Sequence, residues 1–202
     1  MDSYKQRLMG ALPLDDGKLT VRSCTRHDME VLSRWPCYPW PYDVFRFSFA
    51  GLGTSQLDEF FEQRASDFRR VTVVADEGSI PCVGYVALLQ IDWEQGVVGD
   101  MSLRVSPDFC GRGIGSRVIQ LVGRWCLQGG LNTLRLSVAA SNVRAVRCYE
   151  KAGFVRREEF WQPDATLSPS LLVEKRYDFL RPYARVLDGV VQVRFWWMQL
   201  HL

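Results

Sequence analysis

The stretch Val105-Ser106-Pro107-Asp108-Phe109-Cys110-Gly111-Arg112-Gly113-Ile114-Gly115-Ser116 decides the fold of this chain, because it joins a strand pattern to a helix pattern. Upstream of it, residues 101–105 alternate between apolar and polar side chains as a strand does. Downstream, apolar residues recur with the spacing of an amphipathic helix, at Ile114, Val118, Leu121, Val122 and Trp125. The stretch therefore predicts a strand, a short glycine-rich turn and the start of a helix.

Such a junction is suited to an anionic ligand. The first backbone N–H groups of a helix have no partner within the helix, and the helix dipole adds partial positive charge at that end. Gly111, Gly113 and Gly115 allow a ligand to approach these groups closely, and Arg112 adds a fixed positive charge. A phosphate or pyrophosphate is the predicted ligand, although a glycine-rich turn before a helix often serves only the geometry of the turn.

Two common phosphate-binding motifs are excluded by the residues around this turn. The P-loop requires a Gly-Lys-Ser/Thr sequence, which the turn lacks. The dinucleotide fingerprint requires a third glycine where Ser116 stands, and an acidic residue at the end of the next parallel strand, which residues 134–138 do not supply. The turn therefore belongs to neither of these two classes of phosphate-binding loop.

The bulk composition limits the class of protein and its partners. A length of 202 residues suits one domain, and a net charge of +2 with scattered basic residues argues against nucleic acid as a partner. The six cysteines form no Cys-x-x-Cys pair and only two histidines accompany them, which argues against a metal site and predicts a reducing cytoplasm. No signal peptide is expected, since residues 1–5 lack an apolar run, and no membrane span is expected, since polar residues interrupt the apolar end from 186 to 202.

The order of elements predicts an α/β fold with a mixed, mostly antiparallel sheet of six to seven strands flanked by helices. Strands are predicted at 19–23, 71–75, 83–89, 97–105, 134–138, 154–161 and 190–202. Helices are predicted at 28–35, 55–69, 114–128 and 142–152, the first of them capped by Thr25. We expect one domain over 1–202, with an irregular excursion at about 162–186 before the last strand.

Two motifs at a fixed separation carry a resemblance to a known family. Cys110 to Gly115 is followed by Asn142-Val143-Arg144-Ala145 and then by Tyr149-Glu150-Lys151-Ala152-Gly153-Phe154. This arrangement resembles the GNAT superfamily of acetyl-CoA-dependent N-acetyltransferases. The start of the chain looks most like the subgroup that includes the ribosomal-protein alanine acetyltransferases.

The resemblance implies a binding slot for acetyl-CoA. The fourth and fifth predicted strands would splay apart as a V, and the exposed backbone of the fourth would pair with the pantetheine arm. The implied cofactor-binding residues are Leu103, Val105, Cys110, Gly111, Arg112, Gly113, Ile114, Gly115, Ser116, Asn142 and Ala145. Cys110 departs from the family, which usually has Arg or Gln there, so we expect weaker or differently oriented cofactor binding, with Arg112 in compensation.

The resemblance also implies the catalytic groups. An amine must lose a proton to attack a thioester, and a thiolate leaves better when it is protonated. Asp100 is the first candidate for the base and Glu94 the second, while Tyr149 matches the tyrosine placed to protonate the departing sulfur. The alternatives are that Asp100 is a turn or surface group and that Tyr149 is a packed core ring. A covalent role for Cys110 would require a base that activates the thiol, and no such partner is apparent in the sequence. Direct transfer to the amine requires no covalent step.

The predicted function is transfer of an acetyl group from acetyl-CoA to a primary amine, by direct attack in a ternary complex. The acceptor would be a small molecule or a protein N-terminus. Its binding site would be lined by the loop from Trp35 to Phe47 and by residues 162–185. The aromatic loop could also simply pack on the core. Alternatives are a non-catalytic CoA-binding or interaction module, and an enzyme that transfers another acyl group such as succinyl, which Arg104 would favour. Homodimer formation by the last strand is left open.

Overall fold

A computed structural model of the chain describes residues 2–45 and 49–202. The helices are α1 (Asp2–Gly10), α2 (Arg26–Ser33), α3 (Thr54–Ser66), α4 (Ile114–Gln128), α5 (Val143–Lys151) and α6 (Pro169–Leu172). The strands are β1 (Leu14–Asp15), β2 (Leu19–Ser23), β3 (Val71–Glu77), β4 (Ile80–Asp92), β5 (Val97–Val105), β6 (Thr133–Ala139), β7 (Val155–Pro163), β8 (Ala184–Leu187) and β9 (Val190–His201). Short 3₁₀ turns lie at Tyr42–Phe45, Pro107–Phe109, Lys175–Tyr177 and Arg181–Tyr183.

The described residues form two compact units. Unit 1 comprises Met1–Arg135 with Leu200–Leu202, and unit 2 comprises Leu136–Gln199. In unit 1 the strands β1 to β5 pair in sequence order and antiparallel, and β5 begins a parallel pair with β6. In unit 2 the strands β7 and β8 both pair antiparallel with β9.

The strand pairing confirms an α/β fold with a mixed, mostly antiparallel sheet. The predicted number of six to seven strands is wrong, since the described residues form nine. The two additional strands are short: β1 has two residues and β8 has four, too few for an alternating pattern to stand out in the sequence. β5 and β6 share the register pairs Val97 with Thr133 and Val98 with Leu134. Their predicted splay beyond those pairs stays a prediction.

Apolar side chains on both faces of the unit 1 sheet form its core. On one face α4 buries Val118, Val122 and Trp125 completely. On the other face α2 and α3 cover β4, where Leu32, Leu57 and Phe49 belong to the same cluster of buried side chains as Tyr85 and Ala87. The sheet is therefore fixed from both sides where β5 leads into the glycine turn.

Helix α1 lies before residue 19, in a segment for which the sequence pattern predicts no helix or strand. Its amphipathic pattern is weak, but Leu8 is fully buried and its carbonyl accepts a hydrogen bond from the indole of Trp125 at 2.6 Å. Lys5 donates to the carbonyl of Asp67 at 3.0 Å. Contacts with residues far along the chain, rather than local preference, hold this helix.

Candidate active site

The glycine turn has the geometry of an anion-binding loop. Gly111 and Gly113 have φ angles of +80° and +81°, in the left-handed region that favours glycine. A Cβ added at either position would meet nothing within 4 Å, so the space above both residues is open. Gly113 is the N-cap of α4 and makes no side-chain cap hydrogen bond to the first N–H groups of that helix. Backbone donors at a helix start, beside open space, fit the diphosphate of a CoA ester.

Two contacts of Cys110 support this turn. Its backbone N–H donates to the carbonyl of Pro107 at 3.3 Å, and its Sγ lies 3.6 Å from the carbonyl oxygen of Val105. The half-buried thiol is thus directed back toward β5. In the place where the family has a long polar side chain, this protein has a short one that supports the turn.

The aromatic and proline-rich loop contacts the same end of β5. The Tyr38 hydroxyl donates to the carbonyl of Val105 at 2.7 Å, and the Trp35 indole donates to the carbonyl of Cys82 at 3.0 Å. Trp35 packs against the buried core, whereas Trp40 is 41% exposed. Both interpretations of this loop therefore have support up to residue 45. The last two residues of the predicted wall, 46 and 47, lie outside the described residues.

Alternate residues of β5 point to opposite faces of the sheet. Asp100 and Arg104 lie opposite Leu89 and Tyr85 of β4, on the face covered by α2 and α3. Asp100 is half-buried there. Glu94, the second candidate for the base, is exposed in the turn between β4 and β5, at the far end of β5 from the glycine turn.

Two arginines flank a buried tyrosine on this same face, a feature that the sequence does not reveal. Tyr85 is 1% exposed, and burial raises its pKa to about 12. The guanidinium carbon of Arg104 lies 4.4 Å from the ring centre of Phe49, and that of Arg64 lies 3.2 Å from the ring centre of Phe60. Burial lowers the pKa of both arginines. We call Arg64, Tyr85 and Arg104 the arginine–tyrosine cluster.

The residues of the later motif lie in unit 2. Asn142 caps α5, and its side-chain oxygen accepts a hydrogen bond from the N–H of Ala145 at 3.2 Å. Tyr149 lies two turns further along the helix, is 7% exposed and has its ring centre 5.7 Å from that of Phe154. Asn142 thus has a structural task, and its side-chain nitrogen is the group it could offer to a ligand.

The predicted excursion is largely ordered and has its own small core. Tyr177 and Leu180 pack with Val193 of β9, and Arg181 donates to the carbonyls of Leu172 and Val173 at the end of α6. A shallow cavity of about 550 Å³ lies beside it, lined by Pro169, Leu172, Val173, Arg181, Ala184, Arg185 and Val186. Its assignment to the acceptor stays a prediction.

Comparison with known proteins identifies the family. The model of the acetyltransferase (GNAT) family matches residues 33–154, which include the glycine turn and the later motif. The chain therefore belongs to the GNAT family, whose members are acetyl-CoA-dependent acyltransferases. The predicted fold, the predicted enzyme class of N-acetyltransferase acting on an amine, and the use of acetyl-CoA are confirmed.

Two relatives and one similar solved structure illustrate this similarity. An aminoglycoside N(6')-acetyltransferase type 1 of Serratia marcescens is 26% identical over 178 residues, 82% of this chain and 88% of the relative. An uncharacterized protein of Methanocaldococcus jannaschii is 23% identical over 152 residues, and the match covers 73% of this chain but 31% of that protein. The structure is similar to spermidine N-acetyltransferase from Vibrio cholerae in complex with CoA and spermine, with a TM-score of 0.66, 18% identity, and coverage of 92% of this chain and 96% of that one.

The sequence predicts the glycine turn but misses part of its surroundings. Arg64 and Tyr85 are absent from the predicted site, and Tyr38 enters it only as part of the loop from Trp35 to Phe47, because their contacts join residues 19 to 67 positions apart and leave no local pattern. The aromatic residues of the loop from Trp35 to Phe47 are the sequence signal that indicates Tyr38. No helix among residues 2–45 and 49–202 is both long enough and apolar enough to cross a membrane.

Proposed function

We propose that this enzyme acetylates a primary amine of a small cationic molecule, of the polyamine or aminoglycoside class, by direct attack on acetyl-CoA in a ternary complex. The observation that carries the proposal is the open, left-handed glycine turn at the start of α4 in a chain of the GNAT family. The aminoglycoside acceptor of one relative and the spermine bound to the similar structure support the acceptor class. The alternative acceptor is a peptide N-terminus, which would place the enzyme with the ribosomal-protein alanine acetyltransferases.

The cofactor would be held mainly by backbone donors of the glycine turn. The N–H groups from Gly111 to Ser116 would bind the diphosphate, and exposed Arg112 would add positive charge. Leu103 and Val105 would pair with the pantetheine arm, although the carbonyl of Val105 is already engaged by Tyr38 and Cys110. Asn142 and Ala145 complete the proposed set.

Two side chains would move protons in the reaction. Asp100 would take the proton that the amine must lose before its lone pair can attack the thioester carbonyl. The C–S bond then breaks, and the Tyr149 hydroxyl would give its proton to the departing thiolate. The amide nitrogen loses its remaining excess proton to the solvent, Asp100 releases its own proton there, and a solvent proton restores the tyrosine, so the products are the acetylated amine, CoA thiol and one proton.

Calorimetric titration with acetyl-CoA tests the cofactor site. Gly113→Asp places a carboxylate and a Cβ beside the proposed diphosphate position, and we expect affinity to fall by about tenfold or more, since like charges repel. Gly78→Asp is the matched control, because Gly78 also has positive φ and open space but lies in the β3–β4 turn. A folded wild type that binds no acetyl-CoA would overturn the proposal.

Release of CoA thiol tests the reaction and the acceptor. We expect turnover with spermidine or an aminoglycoside, and about a hundredfold loss of kcat in Asp100→Asn and in Tyr149→Phe. Turnover only with a peptide that begins with alanine would favour the alternative acceptor. Acetyl-CoA binding without turnover of any amine would instead identify a non-catalytic CoA-binding module.

The arginine–tyrosine cluster favours a second candidate function, the transfer of an acyl group that carries a carboxylate, such as succinyl. Arg64 makes no ion pair with a carboxylate within the described ranges, and burial lowers its pKa. A negative charge on the acyl group would offset this burial. If this candidate is correct, succinyl-CoA should exceed acetyl-CoA in kcat/KM, and Arg64→Met and Arg104→Met should each reduce that preference by about tenfold.

We also infer one domain over 1–202 and a cytoplasmic location. All six cysteines lie in the described part of the chain, and none forms a disulfide. Cys37 is exposed, and an exposed thiol persists most readily in a reducing compartment. Fractionation of the native source with antibody detection would test the location, and recovery with the membrane or secreted fraction would contradict it.

A further inference from the structure

The exposed strand β7 has one edge that no described strand covers. It pairs with β9 along its other edge only, within residues 49–202. Five consecutive residues, 155–159, are exposed, so both faces of the strand meet solvent over this length. Such an edge can pair with another chain unless charges or irregularity prevent it.

The charges along this edge are ordered in a particular way. Arg156 and Arg157 are followed directly by Glu158 and Glu159. When two copies of one strand pair around a two-fold axis, they run antiparallel, so the basic half of each strand faces the acidic half of the other. Charges of a single sign would repel a second copy, whereas this order attracts one.

The backbone geometry of β7 agrees with such pairing. A register shift between Arg156 and Glu158 leaves Arg157 as an extra residue. Arg156 lies opposite Met198 and Glu159 opposite Trp196, so Arg156 and Glu159 occupy the same face of the ladder. Without the extra residue, two positions three apart would lie on opposite faces and could not meet across a two-fold axis.

The apolar residues that flank the charges satisfy the same symmetry. Val155 lies opposite Gln199 and Phe160 opposite Phe195, so these two also share a face. Val155 is 54% exposed, and the ring of Phe160 stacks on those of Phe195 and Trp197 at 5.6 Å. In the pairing that sets Arg156 against Glu159 of a second copy, Val155 meets Phe160 of that copy.

The ion pairs already present on this strand are weak competitors. Arg156 contacts Glu150 at 2.7 Å and Glu159 contacts Arg194 at 3.7 Å, with all four side chains at least a quarter exposed. Exposed pairs of this kind contribute about 0 to 1 kcal/mol. Neither Arg157 nor Glu158 makes an ion pair within the described residues.

We propose that β7 is the interface of a homodimer, formed by antiparallel pairing of residues 155–160 with the same residues of a second copy. The interface joins two sheets through backbone hydrogen bonds and is selected by the Arg-Arg-Glu-Glu order. This inference does not depend on the acetyl-transfer proposal.

Sedimentation velocity over a concentration series tests the interface. We expect the wild type to dimerise in the micromolar range and Arg157→Glu or Glu158→Arg to raise the dimer dissociation constant by about tenfold or more, because each change makes two repulsive contacts. A mixture of the two variants should form a heterodimer, since each then supplies the charge that the other needs. Lys175→Glu, an exposed reversal elsewhere in unit 2, is the control and should behave as the wild type.

Circular dichroism confirms that the variants are folded. A wild type that stays monomeric at 100 μM or higher would overturn the proposal and leave the charges and the bulge as protection of an edge strand. Dimerisation that is unchanged in both single variants would also overturn it, by placing the interface elsewhere. If each variant is monomeric but the mixture of the two forms a heterodimer, the pairing of Arg157 with Glu158 is confirmed.

Discussion

At the scale of single residues, Asp28 is the most constrained charged group in unit 1. It is 3% exposed, and its carboxylate accepts two hydrogen bonds from Arg22, at 2.7 and 2.9 Å, and two from Thr25, both at 2.7 Å. Arg22 also pairs with Asp76 of β3 at 2.6 Å. Burial alone would raise the pKa of Asp28, but the hydrogen bonds from Arg22 and Thr25 hold it well below its usual range.

We expect Asp28→Asn to destabilise the protein by about 3 kcal/mol at pH 7, because it leaves part of the Arg22 charge buried without its partner. The folded-state pKa of Asp28 is depressed, so its stabilising effect is complete above the unfolded-state pKa of about 4 and is lost as pH falls through the folded value. The difference between wild type and variant should therefore be constant from pH 7 to 5 and shrink below pH 4. Urea unfolding at each pH measures it.

Glu30→Gln is the control for this experiment. Glu30 pairs with Arg26 at 3.4 Å, but its side chain is 43% exposed, so its removal should change the free energy of unfolding by no more than about 0.5 kcal/mol. A difference between wild type and Asp28→Asn that is as large at pH 3 as at pH 7 would show that lost packing, not charge, is responsible.

At the scale of elements, the regular segments follow from local sequence where a cap or a period is strong. The Thr25 capping box with Asp28 is present as predicted, and α2 begins immediately after it. β2 and β5 have the predicted bounds, and α4 ends before Gly129 as expected from the glycine pair. These signals act within one turn or one strand, which is why the sequence alone contains them.

Other elements could not be predicted, because distant residues hold them. α1 depends on the burial of Leu8 and on the bond from Trp125, 117 positions away. The same reason applies to the candidate site: the glycine turn was predicted from its own residues, while the arginine–tyrosine cluster needs α3, β4 and β5 side by side. The alternating pattern of β5 predicts which residues share a face of the strand with Arg104. It does not predict which of the two faces α2 and α3 cover.

At the scale of the whole molecule, the division into two units does not coincide with the ends of elements. The boundary between Arg135 and Leu136 falls inside β6, and that between Gln199 and Leu200 falls inside β9. Domain boundaries usually lie in exposed linkers rather than within strands. This supports the proposal that residues 1–202 are one domain.

We therefore expect the two units to unfold together. The most protected amides of α4, in unit 1, and of β9, in unit 2, should exchange with free energies of opening within about 1 kcal/mol of each other. Native-state hydrogen exchange followed by mass spectrometry measures both in one experiment. Amides of β9 that open several kcal/mol more easily than those of α4 would show that unit 2 is a separate domain.

The carbonyl oxygen of Val105 gives the molecule one further property. It accepts the hydroxyl of Tyr38 from the aromatic loop at 2.7 Å and faces the thiol of Cys110 from the glycine turn at 3.6 Å. If the first segment receives the acceptor and the second the cofactor, a ligand that shifts either one alters the support of the other. The two binding equilibria are then thermodynamically linked, and each ligand changes the affinity of the other by the same factor. Tyr38 would in this way set how cooperatively the ternary complex assembles.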